Sequence, residues 1–132
     1  MRLYPPAYGL GRETIEDCEI GGYPVPAGTQ VFMFQWVTQR DARFYDRPHD
    51  FIPDRWTEGF METLPKYAYF PFGGGPRACI GASFAIMEMI LVLATIGQKF
   101  RLELAPGHRV EVYPAMSLRP KDKVEVVLKN RG

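Results

Sequence analysis

Along the first thirty residues no apolar run outlasts a few positions, because Pro5-Pro6, Gly9, Gly11, Gly21-Gly22, Pro24, Pro26 and Gly28 interrupt it. Prolines remove backbone donors and glycines loosen the chain, so helix cannot persist there. The β-prone runs Thr14 to Ile20 and Thr29 to Trp36 lie between these breakers and predict a small sheet. Val25-Pro26-Ala27-Gly28-Thr29 reads as the turn that feeds the second run. Val31-Phe32-Met33-Phe34-Gln35-Trp36-Val37 has almost no polar alternation, which predicts a strand covered on both faces in preference to the start of a buried helix.

From Thr38 to Pro71 the pattern loses any period and mixes charge, proline and aromatics. A stretch of that length without regular structure exceeds the usual loop and points to a functional coil, with single helical turns expected at Asp41 to Phe44 and Trp56 to Glu62. A helical period begins at Ile80. Phe84, Ile86, Met87, Ile90, Leu91, Leu93 and Ala94 cover nearly its whole circumference, so the helix is expected to be buried on most sides. Gly97 lies near its end and Lys99 in its last turn, where the dipole favours a cation. Strands are predicted at Arg101 to Leu104, Val110 to Tyr113 and Val124 to Leu128, and no internal repeat is present. The expected order is a sheet segment (1–37), a meander (38–71), a glycine and cysteine loop (72–81), one long helix (80–99) and terminal strands (100–132). The class is irregular α+β.

Composition narrows the function. With 132 residues and 46% hydrophobic content, the chain has enough apolar matter for one domain with a core and too much for disorder. Sixteen Lys and Arg against fifteen Asp and Glu leave a net charge of +1, so no strong field steers nucleic acid or an anionic membrane. Cys18 and Cys79 are too few and too dissimilar for a disulfide scaffold, which favours a reducing, cytoplasmic setting. The start Met1-Arg2-Leu3-Tyr4-Pro5-Pro6 lacks the apolar stretch of a signal peptide. Ala82 to Ile96 contains Glu88 and falls short of the roughly 20 residues that span a bilayer, so no membrane segment is expected.

Chemistry concentrates in Phe70-Pro71-Phe72-Gly73-Gly74-Gly75-Pro76-Arg77-Ala78-Cys79-Ile80-Gly81. Cys79 stands between a glycine loop and the N-terminus of the long helix, where unpaired N–H groups, the helix dipole and Arg77 all favour thiolate over thiol. The glycines let the backbone approach something large and flat and free N–H groups to point at sulfur. Gly81 removes a side chain where the helix begins. Three other chemistries compete. A dinucleotide loop, Gly73-x-Gly75-x-x-Ala78, is disfavoured by Pro76, by the lack of a βαβ unit and by the lack of an acidic residue about 20 positions on. A phosphate-cleaving cysteine would have its arginine after the nucleophile and a histidine nearby. Zinc would have to gather Cys18, Cys79, His49 and His108, none of which share ligand spacing. The remaining alternative is a buried structural cysteine.

Phe72-x-x-Gly75-x-Arg77-x-Cys79-x-Gly81 resembles the haem-binding signature of the cytochromes P-450 at all five fixed positions. At about 5% usage per residue, five such matches arising by chance somewhere in a chain of this length have odds on the order of 10⁻⁵. Phe51-Ile-Pro53-Asp-Arg55-Trp56 is similar to the family's arginine-bearing motif before the meander, and Arg40-Asp41 with Gly22-Tyr23-x-Val-Pro26-x-Gly28-Thr29 to its sheet segment. The resemblance implies that Cys79 is the axial ligand of haem b, that Phe72 shields the sulfur and that Gly74 and neighbouring amides tune it. It further implies that Arg77 pairs with one haem propionate and Arg12 with a second, and that Gly75 and Gly81 permit close approach.

Arg2 resembles the arginine end of the family's Glu-x-x-Arg helix, with the glutamate expected two residues before Met1 and Arg55 completing a buried ion-pair network. The matching stretch is roughly the last third of a full-length member. Its substrate-facing positions would be Ala7, Tyr8, Gly9 and Leu10, and Ala115, Met116 and Ser117 at the tip of a C-terminal hairpin. The implied parent activity is an O₂-dependent monooxygenase acting on an apolar small molecule, with electrons from NAD(P)H through a ferredoxin or flavoprotein reductase. Two different readings remain: a non-catalytic truncated or pseudo-enzyme fragment, and a haem-binding sensor.

Overall fold

Strand β1, Leu10–Glu13, forms in spite of the glycines at 9 and 11, and it pairs antiparallel with β4, Gln30–Met33, in the register Leu10 to Met33 and Glu13 to Gln30. The glycines are what the pairing requires. A Cβ added at Gly9 would lie 2.8 Å from Phe34 Cδ1, and one at Gly11 would lie 3.2 Å from Phe32 Cε1, so the two rings lie over bare backbone. Between these strands a tight hairpin joins β2, Cys18–Ile20, to β3, Tyr23–Val25, through Gly21 and Gly22, both at positive φ.

The expected strand from Thr14 to Ile20 is therefore shortened to its last three residues. Thr14 gives its hydroxyl to the Pro26 carbonyl at 2.7 Å, and the Asp17 carboxylate accepts the Ala27 N–H at 2.8 Å. These local bonds turn the chain where a ladder would have run. The second expected strand ends at Met33, and a helical turn, α1, Gln35–Thr38, replaces the rest of the predicted run. That run is not covered on both faces: Phe32, Phe34 and Val37 are exposed, and Gln35 is the buried member.

The computed structural model describes all 132 residues, which separate into two compact units, 1–73 and 74–132, with the boundary inside the glycine run. In the first unit the meander holds a turn at Asp41–Tyr45, a 3₁₀ turn at Pro53–Trp56 and a short helix, α2, Phe60–Thr63. Trp56 packs edge-on to Phe60 at 5.6 Å between ring centroids and against Tyr69 at 4.8 Å, and Tyr45 lies 6.3 Å from Phe60. Tyr45 and Ala68 are the buried apolar residues, and the Tyr45 hydroxyl donates to the Ala68 carbonyl at 3.0 Å.

In the second unit a 3₁₀ turn, Gly75–Arg77, leads to α3, Ala82–Lys99, which starts two residues later than expected and runs to the predicted lysine. The tail forms two antiparallel pairs, β5 (Phe100–Leu104) with β8 (Val126–Asn130), and β6 (Val112–Pro114) with β7 (Leu118–Pro120). The expected burial of α3 is not found. It has no buried residue, and Phe84, Ile90, Leu91 and Leu93 are all exposed. At 18 residues and a mean hydropathy of 1.4, α3 is long and apolar enough to cross a membrane by length and composition alone, a measure that the core helix of a soluble protein also meets.

Two outcomes test this packing. Gly9→Ala is expected to lower stability by about 1–3 kcal/mol, because Phe34 must move. Phe34→Ala in the same chain should cancel most of that cost, whereas additive losses in a denaturant double-mutant cycle would exclude the contact. Burial pushes the Tyr45 phenol up to about 12, against the positive charges of Arg2 and Arg55, which lower it. The folded state thus holds this proton more tightly than the unfolded chain, so its stabilisation is complete below about pH 10 and is lost as pH rises through about 12. Tyr45→Phe should cost about 1 kcal/mol at neutral pH and flatten the alkaline fall of stability; an unchanged alkaline slope would contradict the assignment.

Candidate functional site

The loop that carries Cys79 is shaped by glycine conformations that no other residue adopts cheaply. Gly73 and Gly75 lie at φ of 74° and 69°, and Gly74 between them is extended. The Ala78 N–H closes the 3₁₀ turn on the Gly75 carbonyl at 3.0 Å, and Pro76 sits in its first turn, where a missing N–H costs nothing. Cys79 follows with a free, exposed thiol, so the alternative of a buried structural cysteine does not hold. Gly81 then occupies the N-cap of α3, with no side-chain cap, and a Cβ there would stand 3.9 Å from the Cys79 sulfur. Arg77 is exposed and forms no ion pair, and the apolar side chains of Ile80 and Phe84 are exposed nearby in sequence.

This donor set suits haem. A thiol sulfur is a soft ligand for iron, bare glycine backbone admits a flat macrocycle, and an unpaired guanidinium suits a carboxylate. Phe72 is half-buried at the end of the first unit, next to Gly73. Arg12 stands exposed on β1, and its guanidinium donates only to the neighbouring Gly11 carbonyl, at 2.8 Å. Ala7 to Leu10 are half-buried, while Ala115 to Ser117 form the tip between β6 and β7, with Met116 fully exposed.

Arg2 and Arg55 do come together, with no carboxylate in ion-pair contact, although the charge of Asp50 acts on Arg2. The buried Arg2 guanidinium donates to the carbonyls of Gln39 at 2.8 Å, Pro48 at 2.6 Å and Asp50 at 2.8 Å, and lies 5.0 Å from the Tyr45 ring centre. Arg55 approaches the same ring at 6.0 Å, donates to the Arg47 carbonyl at 3.3 Å, and leaves its Nε buried with no acceptor. Burial, and then the Arg55 charge, lower the Arg2 pKa.

Sequence reasoning missed the turn that holds these pieces. Gln35 and Gln39 are fully buried, Arg40 stacks 3.3 Å from the Trp36 ring centre and donates to the Leu3 carbonyl, and Asp41 turns outward to Arg43 at 2.6 Å. The legible signal was two glutamines four apart beside an apolar run, one face of a helical turn.

A profile of the cytochrome P-450 family matches residues 1–128. Cyclooctatin synthase of Streptomyces melanosporofaciens is 39% identical over 89% of this chain and 26% of its own length. Thromboxane-A synthase of Sus scrofa is 34% identical over 96% of this chain and 24% of its own length. Among solved structures, the retinoic acid-bound cyanobacterial CYP120A1 superposes with a TM-score of 0.91 at 39% identity, over 98% of this chain and 30% of that one. The chain thus spans 24% to 30% of the length of these proteins, and across almost its whole length it belongs to the cytochrome P-450 family.

Proposed function

We propose that this chain is the cysteine-bearing segment of a haem-thiolate monooxygenase, with Cys79 as the axial ligand of haem b. The exposed, free thiol at the junction of the glycine loop and α3, in a chain of this family, carries the reading. When bound, haem would supply O₂ activation and insertion of one oxygen atom into substrate. The chain's own residues hold and tune it: Cys79 donates the thiolate, Arg77 neutralises one propionate and Arg12 a second, and Phe72 shields the sulfur from water. Gly74 and Gly75 turn backbone amides toward the sulfur, and Gly81 leaves room beside it. Ala7, Tyr8, Gly9 and Leu10, with Ala115, Met116 and Ser117, face an apolar organic substrate. Electrons reach the site from NAD(P)H through a ferredoxin or flavoprotein reductase, in the cytoplasm.

A second reading, a segment without turnover of its own, is favoured by the bare circumference of α3, whose apolar side chains lack cover within the chain. The two readings separate by experiment. The 132 residues alone are expected to bind haem weakly and to oxidise no substrate; detectable turnover would contradict this. Joined to the region that full-length relatives carry before it, the chain should give the red-shifted Soret band of thiolate-ligated, carbon monoxide-bound haem. Cys79→Ala should abolish that band, and its survival would overturn the ligand assignment. Arg77→Ala is expected to weaken haem retention by about tenfold, measured by transfer to apomyoglobin, with the band position kept.

A further inference from the structure

Gln35 is fully buried, and its amide nitrogen meets two backbone carbonyls that lie far apart in sequence. Its Nε2 donates to the Ala7 carbonyl and, at 3.4 Å, to the Pro71 carbonyl. Ala7 opens the segment 7–10, and Pro71 immediately precedes Phe72, the first residue of the cysteine loop. Neighbours of Gln35 reinforce the first attachment: the Trp36 N–H donates to the Tyr8 carbonyl at 3.1 Å, and the Phe34 ring lies on Gly9. Gln35 Oε1 is buried without a donor. A rotated amide would set that oxygen against two carbonyl oxygens, so the two acceptors alone fix its orientation.

We infer that Gln35 is a positioning residue that fastens the substrate-facing segment and the start of the cysteine loop to a single amide, so that the two are held in one fixed relation. An apolar side chain of equal size would fill the same space without an orphaned oxygen, so what the glutamine adds is its pair of donors. What the two segments face rests on the haem-thiolate reading; the fastening rests on the two hydrogen bonds.

Hydrogen exchange in the haem-loaded protein tests it. Gln35→Met keeps the volume and removes both donors, and amides in residues 8–13 and 72–75 should then exchange about tenfold faster together. The β2–β3 hairpin, which Gln35 does not touch, should stay unchanged, and the thiolate Soret band should persist. Acceleration of only one segment, of neither, or of the hairpin to the same degree would overturn the fastening. Gln35→Asn keeps a buried amide but is one methylene short of reaching both carbonyls. It should release at least one segment, and protection equal to the parent in both would likewise overturn the inference. A parent protein without the thiolate band would instead sink the haem-thiolate reading, and exchange would still decide the role of Gln35.

Discussion

The first unit depends on how an extended stretch that cannot join a sheet satisfies its carbonyls. Residues 1–8 contain Pro5 and Pro6, which offer no N–H to a ladder, yet Arg2 and Pro5 are buried. The donors come from side chains of one short turn. Gln39 Nε2 serves the carbonyls of Met1 and Arg2, Arg40 that of Leu3, Gln35 that of Ala7, and the Trp36 backbone that of Tyr8. Arg2 returns the bond by donating to the Gln39 carbonyl, so stretch and turn hold each other at both backbone and side chain. A four-residue helix has too little propensity to stand alone, and here tertiary hydrogen bonds define it.

That arrangement explains where polarity was placed. The most buried side chains of the first unit include Gln35, Gln39 and Arg2 alongside Tyr45, an unusual share of polar groups for a core. Each is retained by carbonyls that turns and prolines leave unpaired, which makes the centre of the unit a hydrogen-bonded frame with aromatic rings around it. Arg2 and Arg55 show the limit of such a frame. Carbonyl dipoles, the Tyr45 ring face and the charge of Asp50 accommodate one guanidinium well, but the second keeps an unpartnered Nε.

Period and punctuation made the coarse architecture legible in the sequence. The long helix, its lysine at the C-terminus and strands near 101–104, 110–113 and 124–128 lie close to where apolar spacing places them, whereas β7, Leu118–Pro120, had no such signal. Strand β1 was hidden because Gly9 and Gly11 read as breakers, when their lack of side chains is what lets Phe34 and Phe32 cross them. The break after Met33 was hidden for the opposite reason: aromatic residues continue through it, and only the two buried glutamines mark the change of period. The cysteine loop offers five spaced positions that resemble a family signature, whereas Arg12 and the two substrate-facing segments carry no local pattern.

The long helix shows why apolar periodicity measures a demand for cover and not its source. Residues of α3 are apolar around the whole circumference, and none is buried by the chain that carries it. Burying one large apolar side chain contributes about 1.5–3 kcal/mol, so the exposed Phe84, Ile90, Leu91 and Leu93 together leave several kcal/mol unrealised. The N-terminal end of the helix, where Phe84 stands, carries a bare glycine cap and an exposed thiol, while Ile90, Leu91 and Leu93 lie about two to three turns farther along. Covering the helix and filling the space beside the loop are therefore separate demands that meet only at the first turn. A group seated at the loop alone would leave Ile90, Leu91 and Leu93 in water, so the apolar periodicity of the helix demands a larger cover than the loop does.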